Sequence, residues 1–73
     1  MIASDKGVDA VTFAVESIGR DIRRKRTAAG FSQGELAGKA GVRSETISRL
    51  ENGRGNPTVA TIKKILRVLG ERA

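Results

Sequence analysis

Gly41 separates two short segments with helical periodicity, and this arrangement constrains the fold more than any other feature of the chain. Ahead of it, Ser32 and Glu35 form a capping box, in which each side chain accepts a hydrogen bond from the other residue's backbone amide. A capping box predicts that a helix begins at the next residue. Glycine adopts the left-handed conformation without a Cβ clash and therefore commonly ends a helix. The sequence thus predicts a short helix over residues 33–40 and a sharp turn at Gly41.

A second helical segment follows this turn directly. Its apolar side chains recur three residues apart, as one face of a helix requires, so we predict a helix from Arg43 or Ser44 to Asn52. Two short helices joined by a tight turn cross at a steep angle, and small or apolar side chains must fill the wedge between them. The pattern therefore predicts a helix-turn-helix over residues 33–52.

Two longer segments flank this motif. The first follows Asp9, a residue type that caps helices, and ends at Gly30, which predicts a helix between them and leaves residues 1–8 flexible. The second follows Thr58, another capping residue type, and reaches Gly70, a natural terminator. Aliphatic residues recur at helical spacing in both segments. They are Val11, Val15, Ile18 and Ile22 in the first, and Val59, Ile62, Ile65, Leu66 and Leu69 in the second.

The composition limits what the chain can bury and which chemistry it can perform. Its 73 residues suffice for one domain, residues 1–73. Only 3% of them are aromatic, so the core must come from aliphatic side chains on helices, and we predict an all-α fold. The absence of cysteine and histidine removes disulfides, Cys/His metal sites, thiol nucleophiles and imidazole catalysis. We expect neither an enzyme nor a cofactor.

The charge balance favours a polyanionic partner. Lys and Arg number 14 against 8 Asp and Glu, a formal net charge of +6. Basic side chains release counterions when they meet phosphates, which favours nucleic acid binding, although charge alone does not distinguish nucleic acid from other acidic surfaces. No apolar run approaches the roughly 20 residues that span a bilayer. We therefore predict a cytoplasmic, nucleoid-associated protein with no membrane partner.

The segment from Ile18 to Gly70 is IGRDIRRKRTAAGFSQGELAGKAGVRSETISRLENGRGNPTVATIKKILRVLG, and it resembles the lambda-repressor-like, Cro-type helix-turn-helix domain. The most specific pieces are SQGELA, then GV with ETISRLENG, then NPT before the aliphatic helix. The resemblance implies a compact bundle of four or five helices whose third helix enters the major groove of double-stranded DNA, usually as a homodimer on a palindromic operator. It implies a sequence-specific transcriptional regulator, a repressor or autoregulator.

The resemblance also implies roles for individual residues. Positions that face base edges lie on the third helix, where arginine offers a bidentate fork to guanine and glutamate accepts from cytosine. They are Ser44, Glu45, Ser48 and Arg49. Positions that hold phosphates lie at the start of the second helix and in the loops beside the third. They are Gln33, Arg43, Arg54, Asn56 and Thr58.

Two details qualify this assignment. Family members often carry serine directly after the turn valine, where this chain has Arg43, so the cap of the third helix and the register of base contacts can shift by one residue. Arg26 and Glu51 occupy the positions of a structural ion pair that ties the first helix to the end of the third.

Other functions stay open at this point. The segment GRGNPTVATIKKILRVLG also resembles antitoxins of toxin–antitoxin operons, an alternative in which the protein binds both operator DNA and a toxin protein. Restriction-modification controllers and phage repressors are equally compact relatives. A different class is a basic amphipathic module that binds acidic proteins or membranes through its first helix, although the core needs that helix's apolar stripe. For a homodimer, the candidate surfaces are helix 4 with Leu69–Ala73 and the segment Val8–Phe13.

Overall fold

The computed structural model describes residues 3–72, with side chains from residue 13 to residue 70, and these residues form four helices and no strand. The helices are α1 (Ala3–Ala29), α2 (Gln33–Ala40), α3 (Ser44–Glu51) and α4 (Val59–Arg72). The all-α fold and the order of the helices are confirmed, and α2 has the bounds that its capping box and Gly41 predict. Residues 1–8 are predicted to be flexible, and two of them, Met1 and Ile2, lie outside the described residues.

Both flanking helices extend beyond their predicted ends. α1 begins at Ala3 rather than after a cap at Asp9, because residues 3–8 contain no proline and nothing in them forbids helical backbone. α4 continues through Gly70 to Arg72, since a glycine inside a helix costs only about 1 kcal/mol relative to alanine and does not prevent helix formation. The predicted boundaries at Asp9 and Gly70 are wrong.

The turn chemistry around α2 matches the sequence. The Glu35 amide donates to Ser32 Oγ at 3.0 Å, and the Ser32 amide donates to Glu35 Oε1 at 2.7 Å. Hydrogen bonding to Ser32, through its backbone amide first and its side chain second, lowers the pKa of Glu35 because it favours the ionised carboxylate. At the other end, Gly41 has a φ of 72°, in the left-handed region. The capping box and the Gly41 turn are confirmed.

The helices α3 and α4 are capped differently at their N-termini. Arg43 is the N-cap of α3, with extended backbone and no side-chain hydrogen bond, so α3 begins at Ser44 and ends at Glu51 with Asn52 as its C-cap. Thr58 caps α4 as predicted, because its Oγ1 accepts a hydrogen bond from the Thr61 amide at 3.1 Å.

Eight buried aliphatic residues from all four helices form the core, with partly buried neighbours packed around them. The buried residues are Ile22, Leu36, Ala37, Ala40, Ile47, Leu50, Ile65 and Leu69. Two residues of the predicted α4 stripe are not part of it: Val59 is 70% exposed and Leu66 is 38% exposed. The aliphatic residues of α4 span more than one face, and only the side facing α1 and α2 is covered. The side chain of Val11 lies outside the described side chains.

α1 and α3 come into close backbone contact where α1 crosses the end of α3. Gly19 is buried there, and a Cβ built on it would lie 1.9 Å from the carbonyl oxygen of Leu50. Real Cβ atoms do not approach a backbone oxygen so closely, so a side chain at this position would push the two helices apart. Gly19 therefore sets the distance between α1 and α3.

Candidate nucleic-acid interface

One face of α3 is open to solvent while the opposite face is buried. Ile47 and Leu50 belong to the core. The four residues predicted to face base edges lie on the other side, three of them exposed and one half-buried. They are Ser44, Glu45 and Arg49, which are exposed, and Ser48, which is half-buried. The packing of α3 thus leaves a polar helix surface available to a ligand.

Two of these residues are paired with each other. Arg49 Nη2 donates to Glu45 Oε2 at 3.1 Å, one helical turn apart, and both side chains are more than 60% exposed. An exposed pair of this kind contributes little to stability. Its effect is to hold the guanidinium and the carboxylate side by side on the open face of α3.

The loop after α3 folds back beside this surface. The Arg54 amide donates to the Arg49 carbonyl at 2.8 Å, and Gly55 has a φ of 83°. The polar face of α3 and this loop together line a shallow groove of about 560 Å³. Its lining residues are Glu45, Ser48, Arg49, Asn52, Arg54 and Gly55. The groove brings Arg54, predicted to hold a phosphate, next to residues predicted to read bases.

A second, smaller groove of about 230 Å³ continues along the same loop. It contains the remaining predicted phosphate residues of this flank, Asn56 and Thr58, together with Arg49 and Arg54, which line both grooves. Arg54, Asn56 and Thr58 are exposed. The Thr58 hydroxyl is already engaged as the cap of α4.

The sequence reasoning missed two residues of the larger groove. Asn52 lines the larger groove, with its Nδ2 donating to the Ser48 carbonyl at 2.9 Å. Gly55 lines both grooves. The sequence places Asn52 at the end of a helix and Gly55 ahead of the next one, and no local pattern distinguishes those positions from a place in a groove.

On the α2 side, a buried ionic cluster joins three elements. Arg26 Nε donates to Glu51 Oε2 at 2.6 Å and Arg26 Nη2 donates to Glu51 Oε1 at 3.0 Å, while Arg26 Nη1 donates to the Phe31 carbonyl at 2.7 Å. The side chain of Glu51 is only 2% exposed. The hydrogen bonds from Arg26 to Glu51 raise the pKa of Arg26, because they favour the charged guanidinium. The structure therefore contains the ion pair between α1 and the end of α3.

Gln33 is attached to the same cluster. Its Nε2 donates to Glu51 Oε1 at 3.1 Å, and its side chain is half-buried. An amide nitrogen has two hydrogens, so one remains for a further acceptor such as a phosphate oxygen. Arg43, in contrast, is exposed and makes no side-chain cap. Of the residues predicted to hold phosphates, Gln33 is thus held in place by the Glu51 carboxylate, whereas the Arg43 side chain makes no capping hydrogen bond.

Within residues 13–70, no group of three or more His, Cys, Asp or Glu side chains is placed to hold a metal ion. None of the helices between residues 3 and 72 is both long enough and apolar enough to cross a membrane.

Taken together, a short α2 that packs against α3 through a glycine turn, with the outer face of α3 uncovered, defines a helix-turn-helix domain. A family model described as Helix-turn-helix matches residues 22–73, most of the chain. No solved structure gave a match.

Three relatives illustrate the range of similar proteins. An uncharacterized HTH-type transcriptional regulator of Archaeoglobus fulgidus is 49% identical over 51 residues, which cover 70% of this chain and 73% of the relative. The HTH-type transcriptional repressor RghR of Bacillus subtilis is 43% identical over 56 residues, 75% of this chain and 42% of the relative. Antitoxin HipB of Escherichia coli is 48% identical over 40 residues, 55% of this chain and 46% of the relative. The chain belongs to the lambda-repressor-like, Cro-type helix-turn-helix family.

Proposed function

We propose that this protein is a sequence-specific transcriptional regulator that binds double-stranded DNA by placing α3 in the major groove. The observation that carries the proposal is the exposed polar face of α3, on which charged and hydroxyl side chains stand opposite a buried apolar face. An α-helix with its side chains is about 10–12 Å in diameter and the major groove is about 12 Å wide, so α3 can enter the groove. The names of the curated relatives, regulators and a repressor, support the same role.

Within this proposal, the side chains divide by what they contact. The base-reading residues are Ser44, Glu45, Ser48 and Arg49, and the phosphate-holding residues are Gln33, Arg43, Arg54, Asn56 and Thr58. Arg49 is the residue best suited to recognise a guanine, because guanidinium forms a bidentate pair with guanine O6 and N7. Arg54 lies beside it on the loop, where it can neutralise a phosphate of the flanking backbone.

The proposal is tested by comparing Arg49→Ala with Arg54→Ala. A cognate duplex is first selected from a random pool with the wild-type protein, and both variants are then titrated on cognate and scrambled duplexes across a salt series. Arg49→Ala is expected to lose about 1 to 3 kcal/mol on the cognate duplex and to relax preference at one base position. Arg54→Ala is expected to weaken binding to both duplexes alike and to reduce the salt slope by about one unit.

The two variants are matched controls for each other, because both remove one exposed arginine and the same unit of charge. Equal weakening of the two duplexes by Arg49→Ala would show that α3 does not read sequence through that residue.

We also propose that the protein acts as a homodimer on a palindromic operator, because one short α3 offers few base contacts. Of the two candidate dimer surfaces, Leu69–Ala73 is the less favoured, because Leu69 is buried in the core of its own chain. In Val8–Phe13, by contrast, Phe13 is 64% exposed. The side chains of residues 8–12 and 71–73 lie outside the described side chains.

Sedimentation of the wild-type protein and of chains lacking residues 1–13 or residues 71–73 tests this assembly. We expect a dimer on DNA that is lost with the first deletion and retained with the second. A monomer in every case, free and on DNA, would contradict the dimer.

A second candidate function is that of an antitoxin, which the similarity to HipB favours. It adds a toxin protein as a partner and keeps the proposed DNA binding. Co-expression with the product of the adjacent gene tests it: a stable complex with a toxic neighbour would support an antitoxin, and a neighbour that is harmless when expressed alone would exclude it.

A further inference from the structure

We propose that Glu45 and Arg49 read DNA as one coupled pair, in which Glu45 selects a base that presents an amino group and Arg49 selects a guanine within two base-pair steps of it. The pair would reject sites that present an acceptor atom to Glu45, whatever they present to Arg49. This inference rests on the proposed function and adds to it the chemical character of the operator and the residue that determines it.

The first observation is the hydrogen bond between the two side chains on the open face of α3. Arg49 Nη2 donates to Glu45 Oε2 at 3.1 Å while 64% of the arginine side chain and 62% of the glutamate side chain remain exposed. A guanidinium has five N–H groups, so one bond to Glu45 leaves enough donors for a bidentate contact with guanine. Glu45 can therefore orient Arg49 before and after DNA binds.

The second observation is that the loop residue Gly55 lies beside the aliphatic part of Arg49. A Cβ built on Gly55 would lie 3.7 Å from Arg49 Cβ and 3.9 Å from Arg49 Cδ, so the backbone of Gly55 passes close to the aliphatic part of this side chain. The Arg54 amide also holds the Arg49 carbonyl at 2.8 Å. The Arg49 side chain thus has the Glu45 carboxylate as a hydrogen-bond partner and the loop at Gly55 beside its aliphatic part.

The chemistry of the groove then determines what the pair accepts. Cytosine N4 and adenine N6 present amino donors that a carboxylate can accept, whereas guanine N7 and O6 and thymine O4 are acceptors that it repels. Four residues along a helix span about 6 Å, and stacked base pairs are about 3.4 Å apart, so the two side chains reach bases no more than two steps apart. If Glu45 faced an acceptor atom of a base, its carboxylate would lose hydrating water and gain no hydrogen-bond donor in return. This cost makes Glu45 discriminate against bases that present an acceptor.

A purely structural role for the pair predicts a different outcome. Removal of Glu45 would then change only the helicity of α3, slightly, and leave base preference alone. Asp21 provides the matched control, because it is also a carboxylate in exposed ion pairs on a helix, with Arg24 at 2.7 Å and Lys25 at 3.2 Å, but it belongs to α1.

The experiment selects duplexes from a random pool with the wild-type protein, Glu45→Gln and Asp21→Asn, and then measures affinities on the selected duplex and its single-base variants. For the wild type we expect a guanine position and, within two steps, a cytosine or adenine position. Glu45→Gln should no longer reject acceptor atoms at the second position, because its amide can also donate, so the roughly 5- to 150-fold discrimination against guanine and thymine should be lost there while thermal unfolding is unchanged. Asp21→Asn should bind all duplexes somewhat more tightly and select the wild-type sequence.

Three results would overturn the proposal, and they can be told apart. If Glu45→Gln selects the wild-type sequence with the same discrimination, Glu45 does not read a base, although the protein remains a sequence-specific DNA binder. If Asp21→Asn loses preference to the same extent, the effect comes from net charge. If the wild-type protein enriches no sequence, the proposed function itself fails together with the coupled pair.

Discussion

Glu51 places a carboxylate almost entirely inside the protein, and its partners make this possible. Its oxygens accept hydrogen bonds from Arg26 and from Gln33, so that one carboxylate connects α1, the start of α2 and the end of α3. Throughout the described side chains, every buried nitrogen or oxygen has a hydrogen-bond partner. The cluster therefore ties α1 to the start of α2 and the end of α3 without leaving a buried side-chain polar atom unpaired.

We expect Arg26→Ala to destabilise the protein by about 3 kcal/mol or more, because it leaves the buried Glu51 carboxylate without its cation. Urea unfolding of the variant and the wild type measures the difference. Arg24→Ala is the control: its ion pair with Asp21 is exposed, and its removal should change the free energy of unfolding by no more than about 0.5 kcal/mol. Equal losses in the two variants would contradict the assigned importance of burial.

Residue-level predictions from the sequence succeed where a single spacing decides the outcome. Ser32 and Glu35 are three residues apart, and the capping box predicted from that spacing is present. The hydrogen bond from Gln33 to Glu51 could not be predicted in this way, because these residues are far apart in the chain and meet only through the crossing of α2 and α3.

At the scale of helices, the contact between α1 and α3 depends on one missing side chain. We expect Gly19→Ala to lower the thermal unfolding temperature strongly, since the new Cβ would overlap the Leu50 carbonyl. Gly38→Ala is the matched control within a helix: a Cβ there meets nothing within 4 Å, and alanine should stabilise α2 by about 0.5 to 1 kcal/mol. If Gly19→Ala unfolded at the wild-type temperature, the described helix crossing would be wrong.

The capping box of α2 gives the protein a dependence on acidic pH. The folded-state pKa of Glu35 is lowered, so its stabilising effect is complete above the ordinary glutamate pKa of about 4.3 and is lost as the pH falls through the lower folded value. In Glu35→Gln, this part of the acid-induced loss of stability should be absent. Urea titrations between pH 2 and about pH 7, compared with the wild type, measure it. A variant with the same acid profile as the wild type would exclude a role for this carboxylate.

The ends of a helix can be predicted from the sequence when the interactions that stop the helix are local. α2 is bounded by a capping box and a left-handed glycine, both local, and its ends were predicted correctly. The start of α1 and the end of α4 depend on whether a tolerated residue, Asp9 or Gly70, interrupts a helix, and neither does. The role of Gly19 depends on a carbonyl that is distant in the chain, so no local pattern indicates it.

At the scale of the whole molecule, α1 is the element against which the helix-turn-helix is assembled. It packs against α3 and α4, while α2 packs against the same two helices, so the core lies between these two pairs. The polar face of α3, which we propose reads DNA, is left uncovered because the inner side of the helix provides Ile47 and Leu50 to that core. In the proposed function this arrangement couples recognition to stability, because α3 cannot move without disturbing the core.

The length of α1 also determines how the molecule tumbles. A helix of 27 residues is about 40 Å long, and the molecule measures 43 × 20 × 17 Å, so α1 can lie only along the longest dimension. Rotational diffusion of such a rod is anisotropic, and amide N–H bonds parallel to a helix axis reorient only by slow end-over-end motion. For a monomer in solution, we expect nitrogen-15 T1/T2 ratios in α1 to exceed those of amides inclined to that axis. Uniform ratios along the chain would mean that the rod is shorter than 27 residues in solution.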